Sequence, residues 1–119
     1  MKEKLMKTNT TEIAKAYYTA LNKKDIPSIE KYVHPDIQLV SPLGKVSGKE
    51  DFMESIAFFS SFLLTINVHT ILGSDDQAMS TYDVEFPAPI GLVPTAGLII
   101  FKDGLIAKIE IFFDPRPFN

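Results

Sequence analysis

Hydrophobic positions along the chain first change period near Pro35. Ahead of it Ile13, Ala16, Tyr17, Ala20 and Leu21 recur at helical spacing, which predicts an amphipathic helix over 10–22 with Asn9 or Thr10 as its cap and residues 1–8 as a frayed tail. Asp25 opens a second short helix over 26–33, with Pro27 in its first turn and Ile26, Ile29, Tyr32 and Val33 facing inward; Pro35 ends it. Beyond Pro35, Ile37, Leu39 and Ser41 alternate with Gln38 and Val40, the period of a strand that Pro42 and Gly44 close. Ser47 and Glu50 have capping-box spacing, so a loop is expected to lead into a third helix over 48–62. Its stripe of Phe52, Ile56, Phe59 and Leu63, flanked by Met53, Phe58 and Phe62, is wide enough to predict burial on more than one side.

From Thr65 on, the pattern is that of sheet. Strands are expected over 65–72, 78–86, 95–102 and 105–114. Gly73-Ser74-Asp75-Asp76 and Asp103-Gly104 mark turns, and Pro87-Ala88-Pro89 interrupts the ladder. In the second strand Ser80, Tyr82, Val84 and Phe86 share one face. The order ααβαββββ lacks the alternation of a parallel sheet. It predicts a single α+β domain, 1–119, with three helices packed on one face of a curved, mainly antiparallel sheet. The uncovered face carries Met79, Ile100 and Phe112 between polar neighbours, which predicts a homodimer.

Composition narrows the chemistry. Twelve basic and fifteen acidic residues give a net charge of −3, and Arg116 is the only arginine, a poor electrostatic match for nucleic acid. There is no cysteine, hence no disulfide, thiolate or cysteine metal site, in keeping with a cytoplasmic protein. The charged start lacks the apolar core of a signal peptide, and the longest apolar run, 56–64, is too short to span a bilayer, so no membrane association is expected. The two histidines, His34 and His69, lie far apart without a matched carboxylate spacing, and neither a metal nor another cofactor is expected. Nucleophile-elbow, phosphate-loop and dinucleotide fingerprints are absent from the sequence.

Several segments in order resemble the nuclear transport factor 2-like superfamily, which includes ketosteroid isomerases and SnoaL-like polyketide cyclases. They are residues 16–25 (AYYTALNKKD), His34-Pro35-Asp36 before a strand ending in Ser41-Pro42-Leu43-Gly44, Gly48-Lys49-Glu50 opening a helix, and Asp103-Gly104 before 109–114 (IEIFFD). The resemblance implies a cone, in which the sheet curls around the helices and leaves an apolar cavity at one end. Strand parity then gives its walls as Leu39, Ser41, Tyr82, Val84, Phe86, Gly97, Ile99, Ile109, Ile111 and Phe113, with Tyr17 entering from the first helix. Tyr17 matches the tyrosine that donates to the dienolate oxyanion in ketosteroid isomerases. Ser41 stands where those enzymes carry the proton-moving aspartate, and Gly97 where they carry a second, protonated aspartate. Two of three catalytic positions thus depart from the isomerase pattern, and negligible ketosteroid isomerisation is expected. His34 is a candidate general base at the cone mouth or, alternatively, a cap for the second helix. Ser41 is a ligand hydrogen-bond partner or a strand-end cap. The expected function is binding of a small, mostly apolar molecule by an isomerase-, cyclase- or hydrolase-like enzyme using Tyr17, Tyr82 and His34 or Ser41. A non-catalytic ligand-binding or protein-interaction module on the same fold is the alternative.

Overall fold

The computed structural model describes residues 2–119, with side chains described from Thr10 onward. Three α-helices precede the last four strands: α1, Lys2–Asn22; α2, Ile26–Glu30; and α3, Lys49–Phe62. The six strands are β1, Val33–Ser41; β2, Gly44–Ser47; β3, Thr65–Gly73; β4, Gln77–Glu85; β5, Leu92–Lys102; and β6, Leu105–Phe112. They form one sheet in the order β2-β1-β6-β5-β4-β3. Every pairing is antiparallel except β1 with β6, which is parallel. α1 packs on β3 and β4 and α3 on β1 and β2, so the α+β cone predicted from the chain is the fold observed.

Several boundaries differ from the expected ones. The backbone is helical from Lys2, so Asn9 and Thr10 lie inside α1 and Met1 falls outside the described residues. Thr10 instead donates its hydroxyl to the Ser74 carbonyl at 2.6 Å, tying α1 to the β3–β4 turn. α2 stops at Glu30, and β1 starts at Val33, ahead of Pro35. Between the Val33–Ile106 and Gln38–Lys108 pairs the β1 register shifts. Pro35, which has no amide to give to a ladder, occupies that irregular stretch. The expected loop before α3 is the strand β2, a hairpin partner of β1. Ser47 lies in it, and α3 is preceded by Gly48 with no side-chain cap, so the capping box does not form. Lys24 stands in for a cap at the far end of α3: its ammonium donates to the Ser60 and Leu63 carbonyls at 2.6 and 2.7 Å.

Alternation sets the inner face. Along β4, Ala78, Ser80, Tyr82 and Val84 are buried, and along β5, Val93, Thr95, Gly97, Ile99 and Phe101. Facing pairs such as Ile99–Ile109 close the narrow end of the cone together with Ile29, Ile37, Val33 and Phe52. Asp103 and Gly104 both take positive φ (55° and 77°), as the two-residue turn between Lys102 and Leu105 requires.

Candidate functional site

The wide end of the cone is not filled. A cavity of about 310 Å³ opens there, bounded by the inner faces of β1, β4, β5 and β6, by α1 and by α3. Its exposed members, Leu43, Phe58 and Phe62, mark the mouth. Phe58 and Phe62 were expected to be buried with the rest of α3; they are 66% and 52% exposed and pack edge-on at 4.9 Å. Of its buried members, Tyr17, Tyr82 and Thr95 are the polar ones, and they stand at the floor. Every other lining side chain is apolar except Ser41 and Ser55, so no charged group among the described residues faces the cavity.

Tyr17, Ser41, Tyr82, Leu39, Val84, Phe86, Ile111 and Phe113 all line this cavity. Gly97, Ile99 and Ile109 point inward but lie outside its lining, in packed core. The reason is a side chain that periodicity did not single out. Tyr18 is also buried, and its hydroxyl meets Ser80 Oγ at 2.6 Å over Gly97. An added Cβ at Gly97 would stand 2.9 Å from the Tyr18 hydroxyl and 3.3 Å from Ser80 Oγ. The space an acidic side chain would need at this position is therefore taken by the Tyr18–Ser80 pair. Ser80 was readable from its shared parity with Tyr82. Tyr18 was not, because an adjacent pair on a helix spans more arc than one stripe.

Three phenols stack at the floor: Tyr17 and Tyr18 centroids are 5.2 Å apart, Tyr18 and Tyr82 4.8 Å. Burial drives the Tyr17 hydroxyl well above the ordinary phenol pKa, and the neighbouring Tyr18 adds to the shift. Tyr82 is raised for the same first reason, with Tyr18 and Tyr17 adding to it. Burial raises Tyr18 too, against hydrogen bonding from Ser80 and Tyr82. All three remain neutral donors at physiological pH. Tyr17 makes no hydrogen bond to any described residue, yet no buried side-chain oxygen or nitrogen among the described residues lacks a partner. Its hydroxyl therefore opens onto the cavity.

Ser41 lines the mouth side and accepts the Leu43 amide at 3.1 Å, which fixes the β1–β2 turn. His34 is not brought to the cavity. It sits in the irregular start of β1, accepts the Asp36 amide on Nδ1 at 3.0 Å, and has Asp103 3.8 Å from Nε2. It thus caps its own strand rather than α2. His69 lies on the outer face, 2.8 Å from Asp83. No group of three or more metal-ligating side chains occurs among the described residues, and no helix among them is long and apolar enough to cross a membrane.

A curved sheet wrapped around three helices, with a pocket at the open end, defines the NTF2-like cone class. The chain belongs to the SnoaL-like domain family, whose model matches residues 14–109. A structure from Kribbella flavida DSM 17836 is 29% identical over 93% of this chain and 91% of its own, with a TM-score of 0.87. An NTF2-like protein of unknown function from Cytophaga hutchinsonii is 22% identical over 92% and 93%, at TM-score 0.81. An LEH-like epoxide hydrolase of M. tuberculosis is 14% identical over 93% and 86%, at 0.79. The last two share the fold alone. No curated protein sequence matches the chain.

Proposed function

We propose that this protein binds a small, mostly apolar, uncharged molecule in the cone cavity, with one acceptor atom of the ligand on the Tyr17 hydroxyl. The observation that carries this reading is a buried phenol without a hydrogen-bond partner among the described residues, at the floor of a mostly apolar pocket. A neutral donor kept from ionising suits a carbonyl or ether oxygen. A carboxylate ligand would enter without any cation to meet it, at a high desolvation cost. The cavity lies at the small end of the range for ligand pockets, about 300–1,000 Å³.

Binding is favoured over proton-transfer catalysis. A general base must lie within hydrogen-bond reach of the proton it takes. Among the described residues no carboxylate or imidazole lines this cavity, and none hydrogen-bonds Ser41 to activate it. The test is calorimetric titration with 2-decanone, decane and decanoate. The ketone should bind tightest, and Tyr17→Phe should weaken the ketone by about 5–150-fold, the cost of about 1–3 kcal/mol for an unpaired acceptor, while leaving decane unchanged. Equal affinity of both proteins for the ketone would refute the assignment.

The proposed partner of the outer sheet face is a second copy of the chain. Leu72, Met79 and Leu98 face one another across three adjacent strands. Thr81, Ala96 and Phe112 form the neighbouring row, with Ile100 beyond Leu98 on β5. Leu72, Met79 and Phe112 are 68%, 46% and 47% exposed, which makes an apolar band rimmed by charge. Light scattering should return twice the chain mass at micromolar concentration and a single mass for Met79→Glu; a wild-type monomer would contradict the pairing.

A further inference from the structure

β6 leaves the sheet at Phe112, its last pair being with Ala96. β5 extends further, since Leu92, Val93 and Pro94 still pair with β4. Beside that overhang the sixth strand has nothing to offer, and the cavity wall there is Phe113 followed by the segment 114–119. It is built as one unit. The Asp114 carboxylate receives the Arg116 amide and guanidinium in a fork. Phe118 and Asn119 amides donate to the Pro115 and Arg116 carbonyls, closing a 3₁₀ turn over Arg116–Phe118. Pro115 and Pro117 restrict the backbone on both sides of Arg116. Among the described residues, every hydrogen bond of 115–119 stays within 114–119. The ring contacts that hold the unit to the cone among the described residues are those of Phe118, edge-on against Phe86 at 5.3 Å and against Phe113 at 5.5 Å, and Phe118 lines the cavity.

Resting on the reading of the cavity as a ligand site, we propose that this segment is a displaceable wall and that Phe118 determines how long a ligand the cavity takes. Swinging it about Asp114 breaks no ladder hydrogen bond and costs two ring contacts. A ligand short enough to fit between Tyr17 and Phe118 binds with the wall in place. A longer one pushes Phe118 off Phe86 and Phe113 and forfeits those contacts.

The chain has no tryptophan, so Phe118→Trp installs a single reporter indole. In the free protein its emission should be blue-shifted and poorly quenched by acrylamide, and Asp114→Asn in the same background should make it more quenchable. Titration with 2-octanone should leave the emission unchanged, whereas 2-tetradecanone should shift it to the red and raise quenching. Calorimetry of the 2-alkanone series on the native protein should show affinity rising about fourfold per methylene and then levelling off. In Phe118→Ala the rise should continue to longer chains, with 2-tetradecanone gaining about tenfold, the worth of the ring contacts no longer broken. This second variant reads the wall without the larger indole. A freely quenched indole in unliganded Phe118→Trp, or a level-off at the same chain length in Phe118→Ala, would overturn the proposal while leaving the cavity reading intact. If no ketone binds although the indole is protected, the cavity reading itself fails, and the wall with it.

Discussion

Gly97→Ala adds one methyl group at the floor of the cone, and its effect can be worked from distances. The new carbon would lie 2.9 Å from the Tyr18 hydroxyl, 3.3 Å from Ser80 Oγ and 3.5 Å from Tyr82 Cε1. The first distance is too short for any real contact, so Tyr18 must move. Its ring cannot move freely, being wedged between Tyr17 and Tyr82, and its hydroxyl is fixed by the 2.6 Å bond to Ser80. Overpacking of this kind costs about 1–3 kcal/mol. Losing the hydrogen bond adds about 0.5–1.5 kcal/mol. Restricting the unfolded chain returns about 0.4–1 kcal/mol. The net expectation is a loss of about 1–3 kcal/mol, or a fall in Tm of roughly 5–12 °C for a chain of this size. Urea unfolding measures it, and the same substitution in Tyr18→Phe isolates the cause. Without the hydroxyl the alanine should cost less than about 1 kcal/mol, giving a coupling of about 1–2 kcal/mol. A stable Gly97→Ala, or a cost unchanged in the Tyr18→Phe background, would refute the account of why glycine occupies this position.

Other outcomes follow from other contacts. Phe52 is fully buried, so Phe52→Ala should cost about 3–5 kcal/mol by urea unfolding. Gly104→Ala, at φ 77°, should lower stability by about 1 kcal/mol, whereas Asp103→Asn, at φ 55°, should be nearly neutral; both are read from the same denaturation curves. The Arg116 fork lowers the exposed Asp114 carboxyl to about 2. A depressed folded pKa means that the contribution of the pair is complete above the unfolded value of about 3.9 and is lost as pH falls towards 2. Indole emission of Phe118→Trp should accordingly be flat from about pH 5 to 9. The native protein should not isomerise a β,γ-unsaturated ketosteroid at a rate distinguishable from buffer, since loss of a positioned base costs about 10²–10⁴-fold; conjugated-enone absorbance reports it. Ser41→Asp alone is the variant to compare, because an acidic side chain at Gly97 would collide with Tyr18.

Where one period dominated a segment, the chain was legible. The stripe around Tyr17, the alternation of Ser80, Tyr82 and Val84, and the Asp103-Gly104 turn each have one local solution, and together they force the cone. What failed was set by partners distant in sequence. β2 has only four residues and no apolar alternation, and it is a strand because β1 lies beside it. Val33 and His34 suit a helix end as well as a strand; pairing with Ile106 decides for the strand. Parity marked Gly97, Ile99 and Ile109 as inward correctly, but how far the cavity reaches along a face depends on which side chains fill it. Tyr18 fills it there, from the opposite layer.

The pairing of β1 with β6 has a consequence for how the molecule comes together. Leu39 lies beside Ile109, and Gln38 beside Lys108, so the first strand meets its neighbour only when the last strand exists. Until then the β1–β2 hairpin and α3 have no sheet to join. β3 to β6 form by successive short reversals and need no such closure. Joining the two parts requires closing a long loop, and contacts of that separation form late because their entropy must be met first. On a ribosome, the early half of this protein would emerge and wait, the free edge of β1 unpaired, until the last strand of the sheet followed it out.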